Sequence, residues 1–440
     1  MEGDPWFRNM ASILVRNGAV LTADGWLEPA YVVVAGERIL EVSPGSPPPE
    51  TVDMAAEVID ATNCAVTPGL INAHTHLSQT FMRGLAEGRR LLTWLKELVW
   101  PLQEALTPDD MRLATLLGLV ENLHGGVTQV VDHHKVTTTY AHTDVVCETA
   151  LTTGLKVVIA RAWTDVGANA EPVEDILEDL DRLLHRWQGN QRLQIANGPL
   201  ALWRCSADTL RRTHEIAQSY NTFTHFHVAE NKDELQMSLQ ETGRRPVSWL
   251  NEIGVLGSDT QLVHAVWVDN QEIDLLAEKE APVIHCPVSN AVLGSGIAPL
   301  AAMLDKGVPV RLGTDGPASN DTQDLWETMK TAVQFGRATT FDATVLPPDS
   351  ALNLIMTAPF LTAGAPADLI LVNLNHPRAV PVHNVPSALM LCTHGSDVRT
   401  VIVDGKILLR DGRISSLDED GLFEESRWAI KRLRERAGIY

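Results

Sequence analysis

Eight short apolar runs, separated by segments of helical character, constrain this 440-residue chain more than any other feature. They cover residues 69–74, 127–132, 155–163, 193–198, 222–228, 261–268, 281–286 and 308–314, and intervening stretches such as 109–124 and 175–187 read as helices. Strands that alternate with helices pair in parallel, and eight such units in a row predict an α/β chain built on a (β/α)8 TIM-like barrel. A doubly wound open sheet is the competing arrangement, but no glycine-rich dinucleotide loop follows the first run. The length suits a barrel with a smaller companion domain.

That companion is legible at both ends. Residues 12–60 read as strands and turns with no helices between them, marked by an Asn-Gly turn at Asn17–Gly18, a glycine turn at Gly36 and a proline-rich break over 44–49. Strand character returns after Asp349, with Asp-Gly turns at Asp404–Gly405 and Asp411–Gly412. The expectation is a composite β-sandwich domain fed by both termini: residues 1–67 and 361–440 contribute to it, and residues 68–360 form the catalytic barrel. The charged stretch 424–436 is expected to be a terminal helix with a solvated face.

Hydrophobic residues make up 45% and charged residues 21% of the chain, an ordinary globular balance. No apolar run is long enough to span a bilayer, so no membrane partner is expected. The first ten residues lack the basic start and apolar core of a secretory signal. Five scattered cysteines without a C-x-x-C pair suit a reducing, cytoplasmic setting. A formal charge of −21 would repel a polyanion, so no nucleic-acid partner is expected either.

In a parallel barrel, chemistry gathers at the C-terminal ends of the strands. The first run ends in His74 and His76, one residue apart and so on one face of a strand, the geometry for two nitrogen ligands on one metal ion. The fifth run carries His225 and His227, with Glu230 just beyond. The sixth carries His264, the seventh His285, and the eighth ends at Asp315. Any one of these is more simply a hydrogen-bonded polar residue. Their joint occurrence at five strand ends points to a metal centre. Two other short motifs, G-S-G at 294–296 and H-G-G at 124–126, sit where no nucleotide or oxyanion loop belongs and carry no weight.

The motifs P-G-L-I-N-A-H-T-H-L, H-V-A-E, H-C-P-V-S-N and G-T-D-G-P-A-S-N-D make the chain resemble the amidohydrolase superfamily, in the branch of cytosine, guanine and adenosine-type deaminases and related chlorohydrolases, from about residue 13 to 413. The resemblance implies His74, His76, His227 and Asp315 as ligands of one divalent metal ion, zinc by preference, with iron tolerated by the same donors. It implies Glu230 as a proton shuttle. It also implies that His264, with Asp315, orients and helps deprotonate the metal-bound water. The chemistry that follows is hydrolytic deamination: the ion lowers the pKa of water, hydroxide attacks an amino-bearing ring carbon, and ammonia leaves after protonation. Strand four, L-Q-I-A-N-G-P-L, has no lysine to bridge a second metal. The H-x-E and P-C-x-x-C of the cytidine-deaminase zinc site are not present.

A flat, nitrogen-rich ring needs aromatic walls and a few directed polar groups. Eleven tryptophans stand against four tyrosines, and Trp94, Trp163 and Trp203 fall near expected mouth loops. Gln79, Arg161, His285 and Asn320 complete the candidate substrate contacts; packing, a loop salt bridge or loop capping is the plainer reading of each. The doubled His133–His134 and A-S-N-D most resemble 8-oxoguanine and isoxanthopterin deaminases. The expected substrate is therefore a small heterocycle, first an oxidised pterin or purine such as isoxanthopterin, pterin-6-carboxylate or 8-oxoguanine. A triazine chlorohydrolase and an S-adenosylhomocysteine or methylthioadenosine deaminase are the alternatives. A non-catalytic scaffold is disfavoured because all six key positions are filled, and homo-oligomers are common among such barrels. The chain departs from the family where N-L-I-M-T runs almost directly into A-P-F-L-T-A-G-A-P-A-D: a long helical segment with an A-T-x-x-G-A signature is shortened or missing there.

Overall fold

The computed structural model describes residues 12–135, 141–167 and 169–439. The ten residues read for a secretory signal lie outside them. Five strands come first: β1 (Ser12–Thr22), β2 (Gly25–Ala35), β3 (Arg38–Pro44), β4 (Glu57–Asp60) and β5 (Cys64–Pro68). Eight more follow, most of them separated by helices: β6 (Leu70–Thr75), β7 (Val127–Lys135), β8 (Lys156–Trp163), β9 (Leu193–Pro199), β10 (Thr224–Val228), β11 (Thr260–His264), β12 (Val283–His285) and β13 (Val310–Leu312). The last three are β14 (Leu369–Asn373), β15 (Val398–Val403) and β16 (Lys406–Arg410).

The first and last groups join in one eight-stranded sheet, ordered β16-β15-β14-β5-β1-β2-β3, with β4 also paired to β1. The composite domain drawn from both termini is thus present, as a single continuous mixed sheet. β14 is the seam, antiparallel to β5 with Leu371 opposite Val66. The run of valines in β2 is explained by burial on both faces of a period-2 strand. Val32 and Val34 join Val15, Val66, Leu369 and Ile402 in one core, while Val33 packs with Leu14 and Tyr31 in another. The abbreviated connection before β14 lays its backbone along the chain at 69–71. Ile71 N donates to Ile355 O at 2.7 Å and Thr357 N to Gly69 O at 2.8 Å.

The other sheet has the order expected of a barrel, β6 through β13 in sequence. All eight predicted runs became its strands. Asp315 N donates to His74 O at 2.9 Å, bringing the chain beyond β13 back to β6. Gly313 permits this approach, because a methyl there would lie 2.7 Å from both Cβ and N of His74.

Two expectations need correcting. The chain divides into a unit of residues 1–71, 121–129 and 347–419 and a unit of residues 72–120, 130–346 and 420–440. The C-terminal helix, Glu419–Ala437, therefore falls almost wholly in the barrel unit and not in the β domain. It is also not merely solvated: Leu422, Ser426, Ala429 and Leu433 form a buried stripe at helical spacing, and Arg436 pairs with Asp110. All five cysteines are free thiols. No helix among the described residues is long and apolar enough to cross a membrane.

The tight contact at Gly313 yields a test. Gly313→Ala is expected to lower stability by about 1–3 kcal/mol in urea unfolding, because the new methyl must push the His74 backbone. It should also reduce the metal retained on purification, since His74 moves with its backbone.

Candidate metal centre and substrate cavity

The strand ends aim their side chains into a common space. Ligand atoms of His74, His76, His227 and Asp315 all lie within 4.8 Å of one another. The second nitrogen of each ring is committed to a partner. His76 Nδ1 donates to His133 O at 2.7 Å and His227 Nδ1 donates to Leu200 O at 2.6 Å. Those bonds put the protons on Nδ1 and leave two Nε2 lone pairs facing each other across 3.2 Å. His74 follows a different route. His225 Nδ1 donates to Gln261 Oε1 at 2.9 Å, so His225 Nε2 accepts from His74 Nδ1 at 2.8 Å. His74 Nε2 is buried without a hydrogen-bond partner. Asp315 Oδ1 lies 3.4 Å from it and 3.3 Å from His76 Nε2.

Three lone pairs and one carboxylate converging on a point repel one another unless a cation sits among them. This donor set fits one divalent ion: three neutral imidazoles and one oxygen, with a coordination position left open. The electrostatics agree. Burial keeps His74 well below the ordinary histidine value and His227 at about 4, so both rings are neutral. Burial pushes Asp315 upward, but His74, His76 and His264 more than offset it, and the carboxyl stays well below its usual range. Ser289 Oγ donates to its other oxygen, Oδ2, at 2.6 Å.

Glu230 and His264 face the same space. Glu230 is held well above the ordinary glutamate value by burial, with the charges of Asp315 and Glu234 acting in the same direction. Ser295 Oγ donates to Glu230 Oε1 at 3.2 Å. Asn290 Nδ2 donates to His264 Nδ1 at 3.0 Å, which places that ring's proton on Nε2, 3.9 Å from Glu230 Oε2. The backbone makes this convergence possible in an unusual way. Ala229, His264, Ala265 and Asp315 all have positive φ, between 47° and 76°. Non-glycine residues avoid this region, so the chain turns sharply at the ends of β10 and β11 and beyond β13, at a cost of about 1–2 kcal/mol per residue.

The cavity over these groups is lined by Gln79, Trp94, Trp100, Trp203 and Lys135, together with Glu230 and His264. Of the candidate substrate contacts, Gln79 and Trp203 are among the lining residues. Arg161, Trp163, His285 and Asn320 are not among the described residues that line it. Arg161 is fully buried in ion pairs with Glu171 at 2.6 Å and Asp179 at 2.8 Å. Trp163 is also fully buried, its Nε1 donating to Asn197 Oδ1 at 2.8 Å. Asn320 Nδ2 donates to Thr314 O at 2.6 Å, the loop-capping role. His285 is a buried ring that desolvation holds at about 4. The His133–His134 doublet is also buried. Sequence reasoning gave no role to Ser289, Asn290, Ser295, Gln261 or Lys135. The first two lie inside H-C-P-V-S-N, and Ser295 is the centre of the discounted G-S-G.

Comparison with known proteins agrees with this geometry. The family model described as "Amidohydrolase family" matches residues 65–408. A 5'-deoxyadenosine deaminase of Methanosarcina mazei is 35% identical over 441 residues, covering 97% of this chain and 99% of that protein. A 5-methylthioadenosine/S-adenosylhomocysteine deaminase of Haloarcula marismortui is 34% identical over 443 residues, covering 98% and 100%. Among solved structures, an adenosine deaminase from Xanthomonas campestris with bound zinc superposes with a TM-score of 0.89 at 27% identity, covering 96% of this chain and 98% of that one.

Two tests follow from the ring network. His225→Phe removes the acceptor for His74 Nδ1 and is expected to weaken metal binding about 10–100-fold in chelator competition, with Gln261→Leu smaller in the same direction. The second concerns pH. Burial holds His134 at about 3 and His285 at about 4, against 6.5 for an ordinary ring. The unfolded chain therefore takes up protons near pH 6.5 that the native chain refuses. The stability from these neutral rings is present above about pH 6.5 and is lost as pH falls through about 4 and then 3. The thermal midpoint of metal-free protein should drop between about pH 7 and about pH 5, and less steeply in His134→Gln.

Proposed function

Because this chain belongs to the amidohydrolase family, we propose that it is a hydrolytic deaminase of adenine nucleosides altered at the 5' position. The carrying observation is the pairing of a four-residue group able to hold a metal with a buried Glu230, its carboxyl raised well above the ordinary value, on the same cavity. The substrate class rests on the near-full-length relatives named for such nucleosides. They outweigh the resemblance to 8-oxoguanine and isoxanthopterin deaminases, which is carried by the His133–His134 doublet, both buried, and by A-S-N-D, whose asparagine caps its own loop.

A divalent ion held by His74, His76, His227 and Asp315 would supply a water acidified for attack at the amino-bearing ring carbon. The rest falls to the side chains. Asp315 is ionised, with Oδ2 fixed by Ser289, so it can accept a proton from the attacking water. His264 presents Nε2–H to the cavity, which makes it a donor to developing negative charge and not the base expected from the motif. Burial raises the Glu230 carboxyl well above the ordinary glutamate value and so favours its protonated form. Glu230 can hand that proton to the ring nitrogen beside the reacting carbon and take up the hydroxyl proton as the carbonyl forms, while the proton accepted by Asp315 passes to the amino group, which leaves as ammonia. Trp94, Trp100 and Trp203 supply apolar faces for a flat ring and Gln79 a directed polar group.

Ammonia release from 5'-deoxyadenosine and 5'-methylthioadenosine, measured beside isoxanthopterin and 8-oxoguanine, tests this reading. Turnover of the two nucleosides is expected; turnover confined to the pterin or the oxidised purine would overturn it. Glu230→Gln is expected to retain metal yet lose about 10²–10⁴ in kcat.

A further inference from the structure

The cavity has a second pole. Lys135 ends β7 and lines the cavity wall. His133, two residues earlier on the same strand, has its ring 4.8 Å from that of His227 and 5.4 Å from that of His76. Alternate residues share a face, so Lys135 continues on the metal-facing side, about 7 Å further along the strand toward the barrel mouth.

Its charge is uncompensated. Among the described residues, no carboxylate is in ion-pair contact with it. Glu171 and Glu104 reach it only through their fields, and each is engaged elsewhere, with Arg161 and Asn169 respectively. Burial, aided by the charge of Arg204, draws the lysine down to about 8. Arg204 is committed as well. Its guanidinium lies over the rings of Trp100 and Trp203, at 5.5 and 5.4 Å, and its Nε donates to Thr164 Oγ1 at 3.1 Å. A lone ammonium is thus kept half-desolvated among tryptophans, in a chain of net charge −21 that has many acids to offer it. Such a cation is expensive to bury without a counter-ion. A bound ligand with one negative charge would complete it.

We propose that Lys135 is a specificity-determining residue that binds a carboxylate at the far end of the substrate's 5' side chain. The preferred substrates are then adenine nucleoside thioethers ending in an amino acid, over those ending in a methyl group. This rests on the nucleoside reading above and narrows it. A single ammonium matches a monoanion.

The test compares kcat/KM of the metal-loaded enzyme for S-adenosylhomocysteine and 5'-methylthioadenosine, in the natural protein and in Lys135→Met and Lys135→Arg. The natural enzyme should favour the carboxylate-bearing substrate. In Lys135→Met the ratio of the two kcat/KM values should fall about 10–100-fold, mostly through KM, as for loss of a charge-assisted hydrogen bond. Lys135→Arg should restore part of it. Raising pH from about 7 to about 9 should lower the ratio in the natural enzyme, as the ammonium deprotonates, and leave it flat in Lys135→Met. If both substrates are turned over and the ratio is the same in Lys135→Met, or both values fall alike, the lysine is structural and the proposal is wrong. If neither nucleoside releases ammonia, the substrate reading itself fails and this inference falls with it.

Discussion

The rest of the site depends on one arrangement that is unfavourable by itself: imidazole lone pairs and a carboxylate pointed at one another in a dry interior. His76 and His227 present unprotonated Nε2 atoms to each other at 3.2 Å. Neither ring can relieve the repulsion by turning, because each Nδ1 is tied to a backbone carbonyl. Protonation is blocked for His227 and His74 by burial. A divalent cation is the remaining way to satisfy these atoms at once. The scaffold holds the donors in place, and a divalent ion bound among them would relieve the repulsion.

The same logic explains the backbone. A parallel strand delivers its side chains alternately inward and outward, which is too coarse to bring six functional groups to one spot. The chain corrects this at the strand ends with left-handed turns. Ala229, at positive φ, turns the chain so that Glu230 faces the cavity instead of continuing β10. His264 and Ala265 are successive positive-φ residues closing β11, interlocked with that turn by Ala265 N to Val228 O at 3.1 Å and Trp267 N to Ala229 O at 2.9 Å. Asp315 does the same beyond β13. The strain is stored where the chemistry is, and the ladder beneath it is regular.

Those turns mark the limit of what the sequence could say. Strand positions were readable because buried parallel strands require apolar runs, and the four ligands because histidine and aspartate at strand ends have few other reasons to recur. The terminal helix was read as solvated because its charges catch the eye. The stripe from Leu422 to Leu433 was there to be counted at spacings of four, three and four. Arg161 was misassigned for a physical reason. A guanidinium near a strand end can turn toward the cavity or toward the surrounding helices, and only the placement of Glu171 and Asp179 decides it. Gln261 and Ser295 were invisible because their role is to hold other residues, and hydrogen-bond partners distant in sequence leave no local pattern.

Asp315 and Glu230 line the same cavity and are shifted in opposite directions. At Asp315 the influence of His74, His76 and His264 outweighs the upward push of burial, and a serine hydroxyl donates to its Oδ2, so its carboxyl is drawn below the ordinary range. Among the described residues the Glu230 side chain accepts from Ser295, and burial with the charges of Asp315 and Glu234 raises its carboxyl. The two shifts are linked, because the charge on Asp315 helps to raise Glu230. An acceptor and a donor therefore face the same substrate position at the same pH, without either group being intrinsically unusual. A divalent cation beside Asp315 would weaken that coupling by neutralising the aspartate's field. Burial, the largest contribution at Glu230, does not depend on the ion. The upward push on the Glu230 carboxyl is therefore set mainly by the fold.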